Sequence, residues 1–389
     1  MKKIGFSIIG GGFMAKLHTL AISSYPKYFY PPAAEVERIC LVDVDPALAE
    51  EGKKRYGYAR CATDWHELLD DPETNVIDIC TPNDMHKEIV LEAVKRGKHV
   101  FCEKPLSVSA EDALEMYEAA KAAGVVHAVG HNNRAMSAVR LLKLLIDRGD
   151  LGEIYSFQMR YIQSWGLSPE TPMQWRFDAG RAGSGALGDI GSHAIDISRY
   201  LLGDLKRVSA EMKTIVKERA VVKNALLTHS GGNGEPTAKQ AVDVDDDVKA
   251  LIEFESGVTA TLWASRFCIG QEDTLDIEVY GSKGAAKFSR ERPNQLEFYS
   301  GSDSEEVAGF RTIKMGPAQP YGEMWPMADL GIGYVEQKCI DFKHFFEAVA
   351  EGDPSRVNVD FYGGYKVCQA IDAIKKSAAE CKWVELKEI

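Results

Sequence analysis

The chain begins with KIGFSIIG, then Gly10-Gly11-Gly12, then FMAKLH. An apolar β-branched run, a glycine turn and a helix start, in that order, leave few architectures open. A strand that is apolar on both faces needs helices above and below it, which is the condition of a parallel sheet. The pattern recurs up to about residue 130: AEVERICLVD, NVIDICTP, KHVFCEKP and VVHAVG read as strands, with helical stretches such as DPALAEEGKKRYG and DMHKEIVLEAVKRG between them. The first part of the chain is therefore expected to be a doubly wound α/β domain.

From about Glu153 the pattern changes. IYSFQMRYIQSW, DVKALIEFES, GVTATLWASRF and TLDIEVYG alternate in polarity, and Glu255-Ser256-Gly257 and Gly281-Ser282-Lys283-Gly284 mark turns. These runs predict an open, mainly antiparallel sheet with flanking helices. The fold class is thus α/β followed by α+β, with domains expected at 1–130 and 131–389. The polar stretch from Lys217 to Gln240 reads as a long loop or insertion, and two helices, Tyr334 to Ala350 and Phe361 to Ala379, close the chain.

At 389 residues the chain exceeds one ordinary core, which agrees with two domains. A net charge of −12 offers no basic face to a phosphate backbone, so nucleic acid is excluded as a partner. No apolar run approaches the ~20 residues a membrane span needs. The start, Met1-Lys2-Lys3 and a short apolar run broken by glycines, is read as mature cytoplasmic protein. The eight cysteines form no C-x-x-C pair, and Cys40, Cys61, Cys80 and Cys102 lie in or beside apolar runs. They are expected to pack as small hydrophobes, with no metal site.

Gly10-Gly11-Gly12-Phe13-Met14-Ala15 satisfies G-x-G-x-x-G/A in the strand–turn–helix context that gives the motif meaning. Gly10 permits the turn, Gly12 lets a pyrophosphate approach the backbone, and Ala15 lets the helix pack on the sheet. The helix N-terminus offers N–H groups to the phosphates. Asp43 ends the second strand, where its carboxylate can accept from both hydroxyls of an adenine ribose. It lies farther on than the ~20 residues usual after the motif, and the stretch from Tyr25 to Ala34 is expected to supply the extra length as a loop. A carboxylate there repels a 2′-phosphate, so the cofactor is expected to be NAD rather than NADP.

Glu103-Lys104-Pro105 falls at the carboxyl end of another parallel strand, the edge where such sheets bind ligands. Farther on, Asp189 and His193 are four apart and so share a helix face, which Asp196 and Tyr200 extend. That titratable stripe beside an apolar one is expected at the lip of a cleft, with Gly191 letting a ligand come close. Trp175 and Arg176, with Tyr161 and Trp165, are candidates to line a sugar-sized pocket.

With these motifs, Thr81-Pro82-Asn83 and His86, and the run Gly185-Ala186-Leu187-Gly188-Asp189-Ile190-Gly191-Ser192-His193-Ala194-Ile195-Asp196, nearly the whole chain resembles the glucose–fructose oxidoreductase / inositol dehydrogenase family. The resemblance implies a Rossmann domain, then an open sheet used for homodimer or homotetramer contacts, and a sugar or polyol bound near the nicotinamide. It places Lys104, Asp189 and His193 as a catalytic trio. Thr81, Pro82, Asn83, His86 and Glu103 would line the cofactor, and Pro105 would be a cis proline. The long segment around Thr228 to Gln240 departs from the family pattern. The activity expected is NAD-dependent oxidation of a secondary hydroxyl in an inositol, an aldose or an anhydrosugar such as levoglucosan. An NADPH-linked reductase and a non-catalytic dinucleotide-binding regulator are the alternatives.

Overall fold

The computed structural model describes residues 1–222 and 236–389. They pack as two compact units. One holds Met1–Asn132, Gly180–Gly183 and Tyr334–Cys368, the other Asn133–Ala179, Ser184–Gly333 and Gln369–Ile389. A single cut near residue 130 therefore misses the return of a C-terminal helix to the first unit.

In the first unit six parallel strands, β1 (Lys2–Ile9), β2 (Ala34–Val42), β3 (Arg60–Ala62), β4 (Val76–Ile79), β5 (His99–Cys102) and β6 (His127–Val129), lie in the order β3-β2-β1-β4-β5-β6. This is the doubly wound dinucleotide-binding order, whose reversal between β1 and β4 opens a crevice at the strand ends. The crossover helices are α1 (Phe13–Tyr28), α2 (Pro46–Tyr56), α3 (His86–Lys95) and α4 (Ala110–Ala123). Local chemistry fixes their ends. Asp45 caps α2 by accepting from the Ala47 N–H at 2.8 Å, and Gly57 closes it at φ 70°. Ser109 and Gly124 do the same for α4. The stretch from Tyr25 to Ala34 is not wholly a loop, because α1 runs on through Tyr28. The length between motif and acid is shared between helix and strand, with only a short connection between them.

In the second unit, β7 (Ile154–Ile162), β8 (Leu205–Lys213), β11 (Asp247–Phe254), β12 (Thr259–Ser265), β13 (Thr274–Gly281), β14 (Gly284–Ser289), β15 (Gln295–Ser300), β16 (Arg311–Lys314) and β17 (Val384–Glu385) form one sheet. Their order is β16-β15-β14-β13-β7-β12-β11-β8-β17. It is antiparallel except where β7 and β12 run parallel at its centre. Alternation holds: Val248, Ala250, Ile252 and Phe254 of β11 are buried, while Lys249 and Leu251 face outward. The helices here are α5 (Ser137–Asp147) and α7 (Ser192–Leu202). The Lys217–Gln240 stretch is corrected in part. Its ends are β9 (Glu218–Val222) and β10 (Pro236–Ala241), paired antiparallel, and the segment between them lies outside the described residues.

A short helix, α6 (Ala179–Ala182), precedes the glycine-rich run, and two long ones, α8 (Tyr334–Glu351) and α9 (Phe361–Glu380), follow the sheet. α8 packs against α1 in the first unit, where Phe342 and Phe346 set their rings edge-on to Phe6 at 5.8 and 6.1 Å. Among the described residues no helix is long and apolar enough to cross a membrane.

Candidate active site and cofactor cradle

The glycine turn is built as its sequence requires. Gly10 adopts φ +102°, and a Cβ there would stand 2.7 Å from the Cys80 carbonyl oxygen, so only glycine fits. Gly12 heads α1, which has no side-chain cap and no acid in its first turn. A Cβ on Gly12 would meet nothing within 4 Å. An exposed helix start with the positive end of the helix dipole and no acid beside it suits a pyrophosphate. Ala15 is fully buried against the sheet, Phe13 is exposed and Met14 half-buried.

Asp43 is tied into this turn. Its Oδ2 accepts from the Gly11 N–H at 2.7 Å and its Oδ1 from the Asp45 N–H at 2.9 Å. Each oxygen keeps a lone pair for a ribose hydroxyl, so the carboxylate is aimed before a ligand arrives. These residues fit NAD.

The loops after β4 and β5 are sewn together. The fully buried His86 ring sets Nε2 at 3.1 Å from the Thr81 carbonyl and Nδ1 at 3.1 Å from that of Pro105. Burial pushes its pKa down, against the raising effect of those carbonyls. Asn83 donates to the Ala182 carbonyl at 2.9 Å. Both side chains hold backbone in place, whereas the buried Thr81 hydroxyl has no hydrogen-bond partner within the protein. The Lys104–Pro105 peptide is cis and Lys104 is half-buried. Glu103 turns inward: its Oε1 accepts from His18 Nε2 at 2.9 Å and from the Lys338 ammonium, and its Oε2 faces the Lys104 N–H at 3.3 Å.

The second unit carries Asp189 and His193. Residues Leu187–Gly191 form one turn of π-helix that runs into α7. The wider turn replaces the single α-helical face expected for the pair, and such turns recur at functional sites. Asp245 anchors its start, with Oδ1 and Oδ2 accepting from the Gly185 and Leu187 N–H groups at 2.7 Å each. His193 is buried, with its ring 6.1 Å from that of Tyr161. The Tyr161 hydroxyl donates to Asp273 at 2.7 Å and accepts from Arg290 at 3.0 Å. Burial lowers the pKa of Arg176, which Asp189 opposes, and the guanidinium lies 4.3 Å from the centre of the Trp175 ring. Trp165 packs on Phe177 and under Arg266.

Two expectations in this segment are corrected. Asp196 does not extend a stripe along a cleft lip: it is 1% exposed and grips Arg134 through bonds of 2.7 and 2.6 Å. Gly191 serves packing, since a Cβ there would come within 3.2 Å of Leu187 and 3.3 Å of Ala264.

Residues 4–131 match the family model described as an oxidoreductase family with an NAD-binding Rossmann fold, and residues 139–287 match the GFO/IDH/MocA C-terminal domain. The chain is 42% identical, over 393 residues and 100% of both sequences, to levoglucosan dehydrogenase of Pseudarthrobacter phenanthrenivorans. The chain belongs to the GFO/IDH/MocA family. It is 28% identical over 321 residues to myo-inositol 2-dehydrogenase of Thermotoga maritima, covering 77% of this chain and 88% of that one. The solved structure of levoglucosan dehydrogenase in complex with NADH and levoglucosan matches it with a TM-score of 0.92 at 40% identity, covering 99% of this chain and 100% of that chain.

As a member of this family the chain is an NAD-dependent oxidoreductase. Sequence reasoning misses His18, Asp78 and Lys338 behind Glu103. Asp78 alone carries a local signal, an acid inside the buried strand VIDI. His18, Asp78 and Cys80 also stand within 4.8 Å of one another, a spacing a metal could use. Both His18 nitrogens already face carboxylates, so the group forms part of an ion-pair network.

Proposed function

We propose that this protein oxidises a secondary hydroxyl of a pyranose-sized sugar, with anhydrosugars such as levoglucosan the leading class, to the ketone with NAD. The observation that carries this reading is the 42% identity over the full length of a levoglucosan dehydrogenase. Support comes from Asp43, set by Gly11 to receive ribose hydroxyls and to repel a 2′-phosphate. That charge disfavours an NADPH-linked reductase.

NAD held by the glycine turn, the α1 N-terminus and Asp43 supplies the hydride acceptor. His193 takes the hydroxyl proton as general base, and Asp189 orients the ring. The Lys104 ammonium is assigned to stabilise the negative charge that builds on the same oxygen. Trp175 and Arg176 are assigned to the sugar, by stacking and by donation to its oxygens.

The test is NADH formation across levoglucosan, other anhydrosugars, free aldoses and inositols. The reading expects the highest kcat/KM with levoglucosan or a close anhydrosugar. Turnover of inositols alone would move the protein to a different substrate class, and no turnover of any polyol would remove the dehydrogenase reading.

A further inference from the structure

Behind Glu103 lies a closed set of four charged side chains in the first unit. His18 of α1 sets Nδ1 at 2.8 Å from Asp78 Oδ2 of β4 and Nε2 at 2.9 Å from Glu103 Oε1. Lys338 of α8 reaches the same Glu103 oxygen from 235 residues away in sequence. Relative exposures are 0% for His18 and Asp78, 1% for Lys338 and 6% for Glu103. A ring with each nitrogen facing a carboxylate oxygen donates from both only as imidazolium. Two carboxylates then balance an imidazolium and an ammonium, and the set is neutral. Phe101 and Phe342, stacked at 4.5 Å, stand edge-on to the His18 ring and wall it from water. Room for it comes from Gly130, where a Cβ would lie 2.6 Å from Glu103 Oε1.

Buried ion sets of this kind are seldom more stable than an apolar replacement, so stability alone gives little reason for one here. What the set does have is direction. It fixes Oε1 of Glu103, and through the same carboxylate Oε2 meets the backbone N–H of Lys104 at 3.3 Å. His18 lies on the helix that opens at the glycine turn, so the cofactor helix and the Lys104 backbone share one anchor. We propose that Lys338, His18 and Asp78 are positioning residues that set the place of Lys104 by locking the Glu103 carboxylate. This rests on the reading of Lys104 as the group that meets the reacting oxygen.

The experiment uses full-length protein with its lysines reductively 13C-methylated, the Lys104 signal being assigned by its loss in Lys104→Met. Lys338→Met and Gly130→Ala are the perturbing variants, Lys338→Arg the conservative one. Gly130→Ala changes no charge and decides the matter if Lys338→Met fails to fold. The expected result is a displaced Lys104 signal in both perturbing variants, with other lysines unmoved and Lys338→Arg close to wild type. With levoglucosan and NAD, kcat should fall on the order of ten- to a hundredfold while KM for NAD stays within about twofold, the cost of misplacing a reacting group by about an ångström. An unmoved Lys104 signal in both perturbing variants overturns the proposal. If the signal moves but Lys104→Met itself turns over normally, positioning stands and the catalytic reading of Lys104 falls.

Discussion

At the scale of single residues, Lys104 is where chemistry and fold separate. Its neighbour Glu103 is held by Lys338 and His18, so removing the Lys104 side chain leaves the buried charges balanced. Lys104→Met should therefore keep the thermal midpoint and NAD affinity near wild type while kcat falls ~10²–10⁴-fold, the range for losing one electrostatic or acid–base group. His193→Asn should behave alike. Stopped-flow kinetics beside a melting curve checks both; a mere surface ion pair at Lys104 would cost at most about 1 kcal/mol of stability and leave turnover intact. Asp43 gives the second prediction at this scale. Asp43→Ala removes the proposed ribose acceptor and the Gly11 anchor together, so NAD should bind more weakly and its advantage over NADP should narrow in fluorescence titrations. Lys104 and Asp43 are legible in the sequence because each ends a strand whose pattern is local. Lys338 is not, because Glu103, the partner that gives it meaning, is 235 residues away. Asp245 and Asp246 likewise look like solvated acids in a run of aspartates, yet they are 5% and 0% exposed.

Between residues and the whole lie the strands, and two of them carry histidines whose protonation the fold resists. His99 of β5 accepts the Val126 N–H at Nδ1, 2.9 Å away, and His127 of β6 accepts the Phe361 N–H at 3.1 Å. A protonated ring cannot accept either bond. Burial pushes His99 down to about 4 and lowers His127 as well. Because these folded values lie below the unfolded ~6.5, the unfolded chain binds more protons as pH drops. Stability should be full above ~6.5 and decline from there toward about 4. Urea unfolding across that window checks the sign, and His99→Asn, which can still accept through its amide oxygen, should flatten part of the slope. A stability that rose on acidification would reject the assignment. The six parallel strands are legible because each is a short apolar run after a turn signal. The β9–β10 pairing is not, since Glu218–Val222 and Pro236–Ala241 lie in a polar stretch where only tertiary pairing makes strands. The π turn at Leu187–Gly191 is equally silent in the sequence, because its anchor, Asp245, arrives from a later part of the chain.

For the molecule as a whole, we propose that the broad face of the nine-stranded sheet meets a second copy of the chain. Register sets Leu251, Thr261, Gln158 and Glu278 side by side on β11, β12, β7 and β13, with Lys249, Trp263, Arg160 and Asp276 forming the next row. Leu251 is 53% exposed in the first row, while Arg160 and Asp276 of the second neutralise each other at 2.6 Å. Aligned rows that set a paired charge beside an exposed leucine suit a surface that is covered on association rather than one built only for water. Light scattering of the purified protein should give a mass of two or four chains. Thr261→Arg, which sets an unpaired cation between Leu251 and Gln158, should shift that mass toward one chain while leaving the melting curve cooperative. A wild-type mass of one chain at every concentration would show that this face is solvated, and the mixed rows would then need no partner to explain them.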